Sequence, residues 1–402
     1  MQLNVKCYVV SSNLGKQRKI GDNIKNYLST ILEDVSLVTS ESEIEWDNGR
    51  GAIIVVATGG TERLILSILE KIKKPVFLWA LPTNNSLPAA LEVYSVRRNQ
   101  IKLYYSKLDN KNIIDKIIKF RNVCNALEKI DKCRLGCIGG IAEWILTSNE
   151  KELEKLGIKV VKVKMEELID ELNNIKSVDT EIIINKFGKI EVPEESVVKS
   201  LKLYLALRKI IHKYKLSAIT LNCFELIKNG MTACLGLSLC NDDGIVAGCE
   251  GDLNAAVTML IVSSLTNNPC WMANVCRFDV EDNTITLAHC TIATKMIDTS
   301  KSSLKTHMES GKGVAIDGVL KNTEVTLTRL GNNKMIISLG EIVESSMGDP
   351  ELCRTQVKVK LKGDVKNFVD NVLGNHLVLA YGDIMEELLD FCKFKGIQPL
   401  IL

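Results

Sequence analysis

Apolar and polar positions alternate along the first part of the chain in a repeating order: short apolar run, turn, amphipathic stretch. VKCYVV (5–10), AIIVVA (52–57) and PVFLWAL (75–81) are apolar runs of buried-strand length. Stretches of helical spacing, 22–32, 62–73 and 87–96, follow them. Fully apolar strands alternating with helices predict a parallel sheet covered on both faces. A second series starts near Cys133. RLGCIGG predicts a strand ending in Gly139-Gly140, AEWILTSNEKELEKLG a helix closed by Gly157, IKVVKV a strand and MEELIDELNNI a helix. A long helix over 197–215 then leads to SAITLNCFEL (217–226), which returns to the sheet. Both series carry strand, Gly-Gly, acidic residue and helix, in VVATGGTERLIL and GCIGGIAEWIL.

The texture changes after Pro269. NTITLAHCTIA, KGVAIDGVL, TEVTLTRL, NKMIISLGEIVES and TQVKVKLKG are β-branched runs of period two, separated by Gly, Asn and Asp. They predict an antiparallel sheet or small barrel, with one helix over 383–395 closing the chain. The fold class is therefore α/β, with two doubly wound parallel-sheet domains (1–130 and 131–268) and a C-terminal antiparallel β-domain (269–402).

Composition narrows the class. With 402 residues, 46% apolar and 25% charged, the chain is too long for one core and excludes disorder, collagen and coiled coil. Lys+Arg 51 against Asp+Glu 49 gives a net charge of +2, which argues against a nucleic-acid partner. The longest apolar stretch, 255–265, is about half a membrane span, and MQLNVKCYVV shows no leader pattern, so a cytoplasmic protein is expected. Thirteen cysteines, an odd number with no C-x-x-C spacing, read as reduced, buried thiols.

The Gly-Gly turns aim backbone N–H groups at a helix start, yet neither matches G-x-G-x-x-G or a P-loop, so no nucleotide site is expected. GIVAGCEGDLNAAVTML carries more chemistry. An apolar strand delivers Glu250 and Asp252 to a turn, and a helix of small residues begins at once. Asp252 or Asn254 suits an N-cap. Glu250, at the carboxyl end of a strand in an α/β sheet, can bind a hard divalent cation and act as a base, or simply sit on a loop. Of the four histidines, His212 reads as a surface residue and His307 is given no role. His289 and His376 each lie on an apolar strand and become a metal or proton-transfer set if the fold brings them together.

These residues resemble the L-fucose isomerase and L-arabinose isomerase superfamily of metal-dependent aldose–ketose isomerases. The likeness runs along nearly the whole chain, through CEGDLNAAVTMLIVSSLT, the strand WMANV and the pair Asn375-His376 in GNHL. The resemblance implies two flavodoxin-like domains and a C-terminal β-domain. It implies Glu250 as metal ligand and base, and with the family's second acid missing at position 274, Asp252 is the catalytic acid expected to take over. It implies Mn²⁺ or Mg²⁺ held by Glu250, Asn274 and His376, with His289 and Asn375 binding a small-molecule sugar. The chain departs from the family at Asn274, where both relatives carry an acid. An amide ligates through oxygen but carries no proton, so a sugar-binding or regulatory relative without isomerisation is the alternative, and a lyase or epimerase a third. In the resembling enzymes, trimers or hexamers, the first domain covers a neighbour's site. A homotrimer or homohexamer is therefore expected, with Thr61, Glu62 and Asn85 facing a partner's pocket.

Overall fold

The computed structural model describes residues 5–45 and 49–402. Residues 1–4, where the segment read for a leader begins, lie outside them. The chain forms two compact units, one of residues 1–128 with Asp390–Gly396, the other of Lys129–Leu389 with Ile397–Leu402.

In the first unit five parallel strands lie in the order Val35–Val38, Lys6–Val10, Ala52–Val56, Val76–Ala80, Ile101–Tyr105. That is the 2-1-3-4-5 order of flavodoxin-like sheets. Ala52–Val56 and Val76–Ala80 are buried at every position because helices cover both faces. Alternate residues feed separate cores: Ile54 and Val56 on one face, Ile53 and Val55 on the other. Helix Glu62–Ile72 buries Ile65, Ile68, Leu69 and Ile72, the one-sided stripe its spacing predicts. It ends where Lys73 turns left-handed at φ 50°.

The second unit holds four parallel strands in the order Lys159–Val163, Arg134–Ile138, Ala218–Leu221, Val246–Cys249. This is the same winding with one strand fewer. The antiparallel part closes on itself. Glu324–Gly331 pairs His376–Tyr381, then Trp271–Asp279, Thr284–His289, Thr355–Leu361 and Lys334–Ser345, which pairs Glu324–Gly331 again. The fold is α/β with two doubly wound parallel sheets and an antiparallel domain, the expected class, and the antiparallel domain is a closed barrel. Gln398–Ile401 adds in parallel to Lys334–Ser345. Helix Leu253–Thr266, with twelve buried residues of fourteen, packs against both the parallel sheet and the barrel. A helix apolar all round is a core helix. No helix among the described residues is long and apolar enough to cross a membrane.

Two expected elements differ. The helix expected over AEWILTSNEKELEKLG is only Glu150–Lys155. Gly139 and Gly140 both turn left-handed (φ 73° and 83°), and Asn149 caps the short helix by accepting from the Glu152 N–H. The residues between form short turns, with the Ile145 N–H donating to the Ala142 carbonyl at 2.9 Å, and their side chains bond elsewhere in the unit. The return strand is Ala218–Leu221, and helix Cys223–Lys228 takes up the rest of SAITLNCFEL.

Candidate metal centre and active site

The carboxyl ends of the parallel strands carry Gly139, Asn222 and Glu250, the edge where open α/β sheets bind ligands. Glu250 follows Cys249 and, with Gly251, turns left-handed at φ 59° and 70°. A non-glycine residue in this conformation costs about 1–3 kcal/mol and persists only where its surroundings enforce it. Gly251 is required by space as well: a Cβ there would lie 2.3 Å from the Gly140 carbonyl oxygen.

The barrel brings the histidines. Trp271–Asp279 lies between the other two site strands, with Asn274 opposite His376 on one side and Ala288 on the other. The His289 and His376 rings are 5.6 Å apart. Their Nε2 atoms stand 3.7 and 3.6 Å from the same oxygen, Oε1 of Glu250. These three are the only group of metal-capable side chains this close together among the described residues. At such distances the contacts are electrostatic rather than hydrogen bonds. Burial works against ionising Glu250, but the two imidazoles outweigh it and hold the carboxyl well below the usual range.

His376 and His289 differ in what holds them. His376 is fully buried and its Nδ1 is 3.0 Å from Oδ2 of Asp252. Asp252, equally buried, accepts from Nη1 of Arg329 at 3.0 Å and caps helix Leu253–Thr266 through the Ala255 N–H at 2.9 Å. Burial raises the Asp252 value, yet His376 and Arg329 beside it bring it below the ordinary carboxylate range. Burial works against a charged His376 ring, but Asp252 and Glu250 beside it raise its pKa. In the neutral ring an ionised Asp252 fixes the proton on Nδ1 and leaves a lone pair on Nε2. That Nε2 is buried without a hydrogen-bond partner. Carboxylate, imidazole and open nitrogen in line is the arrangement of a metal-ligating histidine. A divalent cation fits the residues present. His289 is built otherwise: its Nδ1 accepts the Thr291 N–H at 3.1 Å, so in the neutral ring Nε2 carries the proton.

Asn274 lines the same pocket, but its amide oxygen accepts from Nδ2 of Asn375 at 2.9 Å. Asp252 is not in the pocket wall; it stands behind His376. Thr61, Glu62 and Asn85 belong to the first unit. Thr61 is buried and donates to the Thr58 carbonyl, Glu62 opens a helix, and Asn85 is exposed with φ 56°.

Sequence reading missed several contributors. Arg329 is a charged residue inside the apolar strand TEVTLTRL, a pattern that could have flagged a buried ion pair. His307, given no role, lines the pocket with Phe224 and Glu309, and burial lowers its pKa. Trp144 donates its indole N–H to Oε2 of Glu250 at 2.6 Å. Cys223, Cys234, Cys249, Cys290 and Cys353 also line the pocket, and all thirteen cysteines are free thiols.

Comparison with known proteins bears on this site. The chain is 23% identical over 422 residues to proteins named sulfoquinovose isomerase from Priestia aryabhattai and from Priestia megaterium, with 94% of this chain and 93% of each relative covered. A sulfoquinovose isomerase of Alkalicoccus urumqiensis is 20% identical over 81% of this chain and 80% of its own length. No family model matches. The expectation of a likeness to sugar isomerases is met at that level, and the relatives named here are isomerase enzymes acting on another sugar than fucose or arabinose.

Proposed function

We propose that this chain is an aldose–ketose isomerase of the L-fucose and L-arabinose isomerase kind, acting on a free aldose with Mn²⁺ or Mg²⁺. The observation that carries the reading is the open Nε2 of buried His376 beside Oε1 of Glu250, with Asp252 and Arg329 behind it. Carboxylate and imidazole suit Mn²⁺ or Mg²⁺ better than a structural zinc, which favours thiolates. Glu250 and His376 would hold the cation, and Asn274 would join through its amide oxygen or a water. When bound, the cation polarises neighbouring carbonyl and hydroxyl oxygens of the sugar.

The remaining work falls to side chains. Isomerisation moves one proton from C2 to C1 and one from O2 to O1. The Glu250 carboxylate accepts the C2 proton and returns it to C1. His289, whose Nε2 carries a proton, donates it to O1 as that oxygen gains charge and takes back the proton that leaves O2. Asp252 has no path to the sugar from behind His376, so its role is to orient that ring. Asn375 and His289 bind sugar hydroxyls.

The test is exchange of the C2 proton of L-fucose, L-arabinose and sulfoquinovose in D₂O with Mn²⁺, followed by NMR. Exchange that disappears in Glu250→Gln supports the reading. Binding of a sugar without any exchange would instead favour a sugar-binding relative, the reading that Asn274, tied to Asn375, favours. Assembly as a homotrimer or homohexamer belongs to the same proposal, with Glu62 and Asn85 better disposed than buried Thr61 to face a partner. A solution mass near 44.6 kDa by light scattering, with sugar binding intact, would refute it.

A further inference from the structure

The segment after Gly139-Gly140 runs across both acids of the site. The Ala142 N–H donates to the Glu250 carbonyl at 3.0 Å, and Trp144 reaches the same residue's Oε2. Further along, Thr147 Oγ1 accepts from Arg329 at 2.8 Å, and Ser148 Oγ accepts the Leu253 N–H at 2.9 Å. The Asn149 N–H then donates to Asn254 Oδ1 at 3.0 Å. Trp144 is itself held edge-on by Phe224, centroids 4.5 Å apart and planes at 80°, and Phe224 stands edge-on to His307.

We infer that Trp144 is a positioning residue for Glu250: its indole N–H holds Oε2 and so presents Oε1 alone to the two imidazole nitrogens. The indole nitrogen is a donor only, so it bonds the ionised carboxylate and not a proton on it. A donor facing an ionised oxygen forms one of the stronger protein hydrogen bonds. With Oε2 held by the indole, Glu250 would offer a cation Oε1 alone. The left-handed Glu250 backbone, clamped by Ala142, leaves the side chain few other ways to point. Part of this inference, the consequence for a cation, rests on the metal reading proposed above.

The experiment compares wild type with Trp144→Phe, which keeps a ring against Phe224 and removes the N–H. Mn²⁺ is titrated by calorimetry and by tryptophan emission. Partners that orient a ligand typically change metal affinity 10–100-fold, so Trp144→Phe should bind Mn²⁺ about tenfold more weakly at an unchanged melting temperature. The Mn²⁺-dependent part of the emission should vanish with it. Equal affinity in the two proteins, with the emission change kept, would overturn the inference. Without metal, Glu250→Gln should alter the emission in the wild-type background and not in Trp144→Phe. If wild type binds no Mn²⁺, the metal reading falls. The metal-free comparison then decides for Trp144 alone, and equal responses in both backgrounds would overturn its bond to Glu250.

Discussion

Asp252→Asn probes the centre from behind. The amide keeps the size of the carboxylate, and asparagine caps helices as well as aspartate does, so the bond from Ala255 survives. What disappears is the charge facing Arg329 and His376. Asp252 and Arg329 are both wholly buried, with Nη1 and Nη2 at 3.0 and 3.4 Å from the two carboxylate oxygens. Removing one partner of such a pair leaves the other charge stranded, at a cost of about 3–5 kcal/mol. Hydrogen bonds from Arg329 to the carbonyls of Leu373 and His376 stay in place, so the lower end, about 3 kcal/mol, is expected. That is a large share of the stability of an ordinary domain. Guanidinium unfolding of wild type, Asp252→Asn, Arg329→Met and the double variant gives the coupling directly. The double variant should be less destabilised than the sum of the singles. Loss of the charge behind His376 should also weaken Mn²⁺ binding about 10–100-fold. A loss below about 1 kcal/mol, or strictly additive singles, would refute the reasoning.

The remaining expectations concern the acids, the turn and position 274. Glu250→Gln should lose Mn²⁺ binding and C2-proton exchange together; a variant that keeps both makes Glu250 a mere turn residue. Asn274→Asp, which restores an acid, should tighten Mn²⁺ binding by calorimetry, and an unchanged affinity would remove Asn274 from the ligand set. Asp252 has a depressed folded-state value, so its stabilisation is present above its unfolded value, about 3.9, and is lost as pH falls through the folded one. Below about pH 4 wild type should therefore lose stability more steeply than Asp252→Asn, and parallel acid limbs would contradict this. Gly251→Ala forces a Cβ against the Gly140 carbonyl and a left-handed backbone costing about 1–2 kcal/mol before the clash. Its melting temperature should fall, and an unchanged one would show that the turn relaxes.

Much of the fold was legible because period and burial agree. Ala52–Val56 and Val76–Ala80 are apolar throughout since helices cover both faces. The barrel strands alternate in residue type, with Ile285, Leu287, Val325 and Leu327 feeding one core, while Thr286, Thr326 and Thr328 on the other face are buried as well. Glu250 was legible because an acid follows an apolar strand and precedes a helix of small residues. The convergence of His289 with His376 was not, because it depends on cross-strand register that no local pattern encodes. The segment around Trp144 misled for a physical reason: AEWIL has helical propensity and spacing, but two left-handed glycines and side-chain bonds to Glu250, Arg329 and Leu253 hold it in short turns instead of a helix. Tertiary contacts overrode local preference there. Asp252 read as an acid for catalysis because its burial behind His376 depends on Arg329, almost eighty positions downstream.

Helix Leu253–Thr266 starts at the residue that orients His376 and is buried along nearly its whole length between the parallel sheet and the barrel. The acid of the site comes from one of these layers and the imidazoles from the other. Ligand spacing is thus set by the interior of the second unit rather than by surface loops. Substitutions far from the pocket, such as Val257 or Ile261 exchanged for smaller residues, should reach the centre by letting the layers shift. If the proposed cation binds, it joins the layers as a crosslink, and heat tolerance should climb with the logarithm of its concentration.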